Sequence, residues 1–559
     1  MNLTQHRSKK LFGAASAWFL ALSLALPVLA LEPPAPGELE RYRLDGTLEQ
    51  RQAFARSLGN HKAAPGLIAS ARQKLQNIAE GRPEAAYAPP AGWRGMPTTG
   101  AVNVLALCIE FKDYPHSTPI EDVESNLFGD GVNAPPYESL RNFYLRSSYD
   151  QLEITGSVLG WYQPSYPRKN VPQSTSGREG LIKEALSHYD SQGFDFSPFD
   201  NDGDGAVDYL IVIWTGPDTG WANFWWGYQT GFYDGSYKLD GKYLSTYSWQ
   251  WEANPYPGNY SARVVIHETG HALGLPDFYD YDDGIGPSGG VGGLDQMDAN
   301  WGDHNCWSKF MLDWLTPELL TSGSAGLSLA ASGTTQDCLL IMPDVAEGNC
   351  FDEFYMVQHR KPRTGNDSSS YPAQGLVIWH VDARTDPEGY DFLWDNSYSS
   401  HKLLRLMEAD GLEEIERYNE WADAGDFYTG RVDFGPDSFP SSARYDGTHS
   451  GVVVRDISVT TDAVGFTAEI VDVSGYPAVT SMAKKGNPFR ILVSGSGFQP
   501  GLKVSINGQE WPGTSVAGST DVTISGGKSL KKAAPKGTMN TYEFRNPDGK
   551  KATVVWRWP

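Results

Sequence analysis

Residues 261–280 read SARVVIHETGHALGLPDFYD. Ser261 is a favourable N-cap, and the residues after it are proline-free and rich in apolar side chains, so the segment 262–273 is predicted to form a largely buried helix. On that helix His267 and His271 stand four residues apart, which places both imidazoles on one face. Two imidazoles in this arrangement can hold one Zn²⁺, about 2.0–2.1 Å from each nitrogen.

The neighbouring residues supply the rest of a catalytic metal site. Glu268 follows His267, so its carboxylate is expected to lie beside the metal and to act as a general base. Gly274 is placed for a sharp turn with positive φ, which would bring Asp277 back as the third ligand. Three protein ligands leave one position open, as in catalytic zinc sites. The alternative is that two core histidines and a glutamate have this spacing by chance.

A methionine follows the helix in the glycine-flanked segment GGLDQMDANWG, at Met297. This order resembles the metzincin metalloproteases, in which H-E-x-x-H-x-x-G-x-x-H precedes a methionine-containing turn beneath the metal. The resemblance implies such a turn at Met297, although core gap-filling is an alternative role for a methionine. The sequence departs from the metzincin pattern at Asp277, where most members have a third histidine. A different downstream acid is therefore the alternative third ligand.

The N-terminus has the pattern of an export signal. Arg7, Lys9 and Lys10 precede an apolar run over 11–26, and small residues end at Ala30, so residues 1–30 are predicted to be a signal peptide cleaved after Ala30. The run is short for a hydrocarbon core of about 30 Å, and we expect no transmembrane anchor after cleavage. The expected location is extracellular, periplasmic or on the cell surface.

Composition and charge narrow the class of protein. The chain has 559 residues, 40% of them hydrophobic, and a net charge of −23, which favours several globular domains and argues against a nucleic-acid partner. Its four cysteines are too few for a disulfide scaffold. Cys338 and Cys350 are the predicted disulfide, as a short loop between strands, and Cys108 is predicted to be a buried thiol in a strand.

The order of apolar segments predicts an α+β fold. Residues 31–94 are expected to be a pro-segment or N-terminal arm with one helix near 65–80, and residues 95–326 the catalytic domain. In that domain we predict strands at 101–111, 152–162 and 207–215 and helices at 137–147 and 177–189. Strands alternating with helices ahead of the metal-binding helix suggest a mixed sheet layered on helices, as in zincins.

An acidic loop, DNDGDGAVD, precedes the last of these strands. Asp200, Asp202, Asp204 and Asp208 are spaced like the start of a calcium-binding loop, so a structural Ca²⁺ is predicted there. The twelfth position holds Ile211 instead of the bidentate glutamate of an EF-hand, and a solvated Asp-Gly turn is the alternative. Residues 221–251 are crowded with aromatic side chains, which could line a substrate cleft or pack an irregular lobe.

Several blocks resemble the immune inhibitor A family of secreted bacterial metallopeptidases. They are, in chain order, SSYDQLEITGSVLGWY, FDNDGDGAVDYLIVIWTG, HETGHALGLPDFYD, GGLDQMDANW, EFYMVQHRKP, GLVIWHVD, LRLMEADG and HSGVVVRDIS. The resemblance covers residues 95–473 and implies a secreted zinc endopeptidase made with a pro-segment and containing calcium. It implies zinc ligation by His267 and His271, with Glu268 as the base. Four further polar residues in these blocks are expected to make only structural contacts: His380, Asp382, Glu408 and Asp410.

Two further regions complete the chain. Short strands separated by turn residues predict a β-rich domain over 327–473, packed on the catalytic part. Residues 476–559 resemble an IPT/TIG domain, which implies an immunoglobulin-like β-sandwich. This region has an excess of Lys and Arg, including Lys528, Lys531 and Lys532 in a predicted solvated loop. It could bind anionic cell-surface polymers or dock on the acidic body, with solubility as the alternative role.

Together these features predict a secreted zinc-dependent endopeptidase that hydrolyses proteins or peptides. A catalytically silent cell-surface or glycan-binding protein that retains the metal site is the first alternative. Glu268 argues against it, because such a protein has no chemical need for a base. A zinc hydrolase acting on a bond other than a peptide bond is the second alternative.

Overall fold

The computed structural model describes residues 34, 37–82, 95–252, 260–282, 284–343, 353–367 and 371–558. The predicted signal peptide, residues 1–30, and Cys350 lie outside these residues. Among the residues that are described, no helix combines the length and the apolar composition needed to cross a membrane.

Three helices precede the first strand: α1 (Glu38–Asp45), α2 (Leu48–Leu58) and α3 (Pro65–Ala79). α3 is the helix predicted near 65–80, and its proline lies in the first turn, where a missing N–H is tolerated. Its apolar residues recur every three or four positions and are buried in the main core, namely Leu67, Ala71, Leu75 and Ile78. α1 and α2 were not predicted, because charged residues dominate them and few of their side chains are buried.

The first sheet has five strands in the order β2-β1-β3-β5-β4. The strands are β1 (Gly100–Ile109), β2 (Leu152–Tyr162), β3 (Ala206–Trp214), β4 (Tyr228–Gly231) and β5 (Tyr243–Trp251). All pairings are parallel except that of the edge strand β4 with β5. The helices of this region are α4 (Ile120–Phe128), α5 (Leu140–Ser147), α6 (Thr175–Asp190) and α7 (Arg263–Ala272). The three predicted strands and two predicted helices are present, whereas α4, β4 and β5 were not predicted.

The central strand β3 explains why the sheet is covered on both faces. All of its residues are buried. Tyr209, Ile211 and Ile213 face one core, and Leu210 and Val212 face the other, because successive side chains of a strand point to opposite faces. The helix α7, which carries His267 and His271, packs mainly in the first of these cores through Val265 and Ile266.

A second layer of strands follows α8 (Gln296–Ala299) and α9 (Cys306–Met311). One sheet has the order β11-β10-β9-β8-β6 and consists of β6 (Glu318–Leu320), β8 (Cys338–Ile341), β9 (Glu353–Arg360), β10 (Gly375–Asp382) and β11 (Leu404–Leu406). A three-stranded sheet is formed by β7 (Gly323–Ala330), β12 (Val452–Val459) and β13 (Ala463–Ile470), with α10 (Glu414–Tyr418) ahead of β12. The domain boundary predicted between residues 326 and 327 therefore falls inside β7.

The strand β9 joins the two parts of the molecule. Phe354 and Met356 belong to the core that contains α7, whereas Tyr355 and Val357 belong to the core between the second and third sheets. Since alternate residues of one strand serve both cores, the β-rich region is packed against the part that contains α7 through a continuous apolar layer.

The C-terminal residues form two antiparallel four-stranded sheets on one core. The first has the order β14-β15-β19-β18, from β14 (Ala478–Lys485), β15 (Arg490–Ser496), β18 (Thr514–Ala517) and β19 (Asp521–Ser525). The second has the order β17-β16-β20-β21, from β16 (Lys503–Ile506), β17 (Gln509–Trp511), β20 (Asn540–Arg545) and β21 (Lys551–Trp556). The loop predicted around Lys528, Lys531 and Lys532 is instead a helix, α11 (Gly527–Ala533), anchored by buried Leu530. The prediction of a loop was wrong, although these three lysines are exposed.

Candidate metal centre

The helix α7 places two histidines on one buried face. It begins at Arg263, so the predicted N-cap at Ser261 is wrong; Ser261 Oγ accepts a long hydrogen bond of 3.4 Å from the Arg263 N–H. The rings of His267 and His271 have centroids 4.9 Å apart. Their side chains are almost completely buried, as the four-residue spacing on an inward face requires.

Asp277 returns to these histidines through the turn after α7. Gly274 has a φ of 100°, a left-handed conformation that favours glycine, as predicted. Asp277 Oδ1 lies 2.9 Å from His267 Nε2 and 3.3 Å from His271 Nε2. The structure therefore brings together the three residues that were predicted as ligands.

Hydrogen bonds on the far side of each ring assign the tautomers. His267 Nδ1 lies 3.0 Å from the carbonyl oxygen of Gln296, and His271 Nδ1 lies 2.8 Å from that of Leu275. A carbonyl oxygen can only accept, so each Nδ1 donates its N–H, and the neutral form of each ring has its lone pair at Nε2. In that form two nitrogen lone pairs and a carboxylate oxygen converge on one point.

That convergence fits a bound cation. Three acceptors at this separation repel one another unless a positive charge lies between them. Two imidazole nitrogens and one carboxylate oxygen suit Zn²⁺, and anchoring of a zinc histidine by its second nitrogen is usual in such sites.

Tyr281 and the N-terminal arm hold Asp277 in place. The Tyr281 hydroxyl donates to Asp277 Oδ2, which leaves Oδ1 for the histidine side. The backbone N–H of Asp277 donates to the carbonyl oxygen of Asn60, at 2.7 Å. Neither contact could be found from sequence, because Asn60 belongs to the arm and Tyr281 follows the recognised motif.

Glu268 lies beside these ligands without joining them. Both of its carboxylate oxygens are buried, and neither has a side-chain hydrogen-bond partner among the described residues, while the backbone N–H of Gln229 lies near enough to oppose the rise in its pKa. Burial raises the pKa of Glu268 to about 8; nearby His267 lowers it and nearby Asp277 raises it. A carboxyl group with this pKa can both take up and release a proton near neutral pH.

Met297 lies directly beneath α7. A Cβ atom added at Gly270 would be 2.3 Å from Met297 Sδ, so any larger residue there would require the Met297 side chain to shift. The Met297 carbonyl oxygen accepts from the Phe278 N–H at 2.9 Å. The segment around Met297 thus contacts both α7 and the chain that leads to Asp277.

The arm covers the ligands. A cavity of about 20 Å³, room for about one water molecule, lies against His267, Glu268, His271 and Asp277. Its wall is completed by Ala55, Leu58 and Asn60 of the arm and by aromatic residues, including Trp221, Trp226, Tyr228 and Tyr281. A larger cavity of about 930 Å³ reaches His271 between arm residues, the β5 residues Ser245 and Thr246, and residues 388–391.

Most of the aromatic residues between 221 and 251 pack the second core. Trp225, for example, makes ring contacts with Phe224 and Trp249. Only Trp221, Trp226 and Tyr228 of this group also line the small cavity. Core packing therefore accounts for most of this aromatic run.

The acidic loop brings Asp200, Asp202, Asp204 and Asp208 together, with one oxygen of each within 4.8 Å of the others. Asp200 also pairs with Lys242, at 2.6 Å. Burial raises the pKa of Asp208 to about 7, although hydrogen bonds from Asn201 oppose that shift.

The four polar residues of the downstream blocks divide into two pairs. His380 contacts Glu353 at 3.1 Å, and Asp382 pairs with Arg384 at 2.6 Å, so both make structural contacts. Glu408 and Asp410 instead belong to a carboxylate cluster that was not predicted. Cys108, Cys306 and Cys338 are free, buried thiols, and the predicted partner Cys350 lies outside the described residues.

Comparison with known proteins gives distant similarities. The chain is 24% identical over 281 residues to Immune inhibitor A of Bacillus thuringiensis subsp. alesti, covering 38% of this chain and 40% of that protein. It is 28% identical over 231 residues to Pre-pro-metalloprotease PrtV of Vibrio cholerae serotype O1, covering 32% of this chain and 25% of that protein. No family model matches the chain. The chain thus spans less than half the length of each relative, and these similarities support the general class of metalloproteases.

Proposed function

We propose that this chain is a secreted zinc-dependent endopeptidase in which His267, His271 and Asp277 hold the metal and Glu268 is the general base. The observation that carries the proposal is the meeting of two imidazole nitrogens and a carboxylate oxygen beside a buried carboxylate that lacks a side-chain hydrogen-bond partner among the described residues. The distant similarity to proteins of the metalloprotease class supports it. The substrates are proteins or peptides.

The residues of the proposed site have different roles in the reaction. A zinc ion bound there would act as a Lewis acid, polarising the scissile carbonyl and acidifying water. Glu268 takes a proton from the attacking water and delivers it to the leaving amine. The carbonyl oxygens of Gln296 and Leu275 fix the two rings, and Tyr281 fixes the Asp277 carboxylate.

The arm acts in this proposal as a pro-segment. Ala55, Leu58 and Asn60 close the cavity at the metal ligands, and Ala64 donates its N–H to Gly274 at 2.9 Å. A substrate carbonyl cannot reach Glu268 while these residues remain in place. The arm contains no cysteine, so latency depends on this coverage and not on a thiol bound to the metal.

The remaining assignments are also proposals. A structural Ca²⁺ at Asp200, Asp202, Asp204 and Asp208 would stabilise the loop before β3. The C-terminal sheets would form an immunoglobulin-like sandwich whose basic surface contacts anionic cell-surface polymers.

The test compares Glu268→Gln with wild type in casein cleavage, after release of the arm at a site-specific protease sequence placed between Arg82 and Gly95. Loss of the base is expected to reduce the rate about 10²- to 10⁴-fold, with zinc content unchanged. A chelator should abolish cleavage by wild type, and the intact chain should cleave more slowly than the released one.

Glu179→Gln is the matched control, since Glu179 on α6 is also buried but accepts hydrogen bonds from the backbone N–H groups of Tyr233 and Asp234. It should retain full activity. Zinc-loaded, arm-released wild type that cleaves nothing, or a Glu268→Gln variant as active as wild type, would refute the proposed function.

A further inference from the structure

Four carboxylates converge in the segment between β11 and β12. Glu408, Asp410, Glu414 and Asp426 each offer one oxygen, and these oxygens all lie within 4.8 Å of one another. Oxygens that surround one ion at about 2.4 Å are at most about 4.8 Å apart. The spacing is therefore that of a shared cation.

No cationic side chain in the described part of the chain pairs directly with this cluster, although the charge of Arg405 lowers the pKa of Glu408. Among the described residues, none of the four carboxylates has a Lys or Arg partner within ion-pair distance. The nearby cations are committed elsewhere: Arg405 and Arg417 pair with Glu413, and Lys402 pairs with Glu416. In the other acidic loop, by contrast, Lys242 supplies a positive charge to Asp200.

The two buried members each present an unpartnered oxygen. Glu408 is 1% exposed; its Oε2 accepts the Glu414 N–H at 2.7 Å, while Oε1 has no hydrogen-bond partner among the described residues. Asp426 is 4% exposed; its Oδ2 accepts the Asp423 N–H at 2.7 Å, while Oδ1 likewise has none. Leaving a buried charged acceptor unsatisfied is costly.

The pKa values of Glu408 and Asp426 are both raised, as expected for buried carboxylates with no directly paired cation among the described residues. Burial, followed by the nearby carboxylates of Asp426 and Glu416, raises the pKa of Glu408 to about 8. Burial, followed by neighbouring acids including Asp410, raises the pKa of Asp426 to about 7. A divalent cation would keep both groups ionised at neutral pH.

Asp410 is exposed but is turned over the loop that carries Asp426. A Cβ atom added at Gly425 would lie 2.4 Å from Asp410 Oδ2. Asp410 Oδ1 accepts the Leu412 N–H at 2.9 Å, which holds this orientation. The absence of a side chain at Gly425 thus permits Asp410 to close the cluster from the solvent side.

We propose that Glu408, Asp410, Glu414 and Asp426 form a calcium site, distinct from both the histidine centre and the loop at residues 200–208. The donor atoms are carboxylate oxygens without nitrogen or sulfur, which selects a hard cation over zinc and other transition metals. Four ligands from three separate turns suit Ca²⁺, whose coordination is flexible and can be completed by water and backbone carbonyls.

A cation at this site would stabilise the segment that leads into Met297, next to the histidine centre. Glu414 begins α10, whose Glu416 carbonyl oxygen accepts the Ser288 N–H at 3.0 Å. The Ala422 N–H in turn donates to the Gly292 carbonyl oxygen at 2.9 Å. A cation that ties Glu408 to α10 and Asp426 therefore holds the glycine-rich segment that leads into Met297.

Calcium binding to the stripped full-length protein tests the proposal. After chelation and exchange into calcium-free buffer, Ca²⁺ is titrated and followed by calorimetry, bound calcium is counted by elemental analysis, and the melting temperature is recorded. Asp410→Asn, at an exposed position that leaves the buried groups intact, should raise the Kd of one site at least tenfold. Glu408→Gln combined with Asp426→Asn should remove one equivalent of Ca²⁺ and its increase in melting temperature.

Two further variants make the result specific. Glu420→Gln removes a negative charge from the same segment at an exposed residue outside the cluster, and it should bind calcium like wild type. Asp202→Asn alters the other acidic loop, and its effect should add to that of Asp410→Asn. If Asp410→Asn binds calcium as Glu420→Gln does, or if only Asp202→Asn reduces binding, the proposal is wrong. If the double variant fails to fold, the calcium Kd of Asp410→Asn compared with that of Glu420→Gln tests the proposal.

Discussion

The hydroxyl of Tyr281 offers a direct test of how the histidine centre is held. Tyr281 and Asp277 are each about 2% exposed, and the hydroxyl donates to Asp277 Oδ2. Tyr281→Phe removes only that hydroxyl, leaving the buried ring and the ligands in place. We expect the carboxylate to lose the contact that orients Oδ1 toward the two histidines, and zinc affinity to fall.

The size of the loss follows from the charge of the acceptor. A hydrogen bond to a charged group contributes about 1.5–3 kcal/mol, and each 1.4 kcal/mol corresponds to about tenfold in affinity. The full contribution would thus be about 12- to 140-fold. Tyr281 also contacts Asp277 in the metal-free protein. Part of the hydrogen-bond free energy therefore stabilises both states and does not contribute to zinc affinity. The expected rise in the zinc Kd is therefore about 10- to 30-fold, the lower part of the range for groups behind metal ligands.

Competition with a chromogenic zinc chelator measures this Kd, and circular dichroism verifies that the variant is folded. Tyr542→Phe is the matched control, because Tyr542 is a fully buried tyrosine of β20 whose hydroxyl has no hydrogen-bond partner among the described residues. Its zinc Kd should equal that of wild type. A folded Tyr281→Phe protein with a Kd within twofold of the control would refute the role given to this hydroxyl.

Two further predictions concern stability. Asp202→Ala should lower the melting temperature only when calcium is present, because its carboxylate would serve as a calcium ligand; an equal effect without calcium, measured by differential scanning fluorimetry, would contradict a calcium site in that loop. Lys309→Met should destabilise the protein by about 3–5 kcal/mol in urea unfolding, since Lys309 is 1% exposed and its ion pair with Asp303 at 2.7 Å is buried. Lys183→Met, which breaks a partly exposed pair, should cost about 1 kcal/mol or less; equal losses for the two lysine variants would refute the argument from burial.

Local patterns in the sequence were sufficient where one element determines the geometry. The four-residue spacing of His267 and His271 defines a helix face, and Gly274 marks the turn that follows, because helix periodicity and positive φ are properties of short segments. The apolar strands β1 and β3 were predictable for the same reason. The sequence predicted a loop for the lysines of α11, because this helix has only one strongly buried apolar residue, Leu530, and therefore lacks an apolar periodicity.

Contacts between distant segments required the tertiary structure. Asn60 and Tyr281 support Asp277 through a backbone carbonyl and a hydroxyl, groups that carry no motif. The order of the strands around β3, the short antiparallel edge strand β4 and the coverage of the ligands by the arm likewise depend on packing. The cluster completed by Asp426 joins separate turns of the chain.

The sequence by itself therefore determined the identity and spacing of the histidines and their neighbouring glutamate, because a single helix sets their geometry. Only the tertiary structure decided that Asp277 meets both imidazoles, that the arm closes over Glu268, and that Glu408 lies in one carboxylate cluster with Asp426. Those arrangements depend on side chains brought together by loop closure and core packing, whose energies are summed over many weak contacts that no local pattern records.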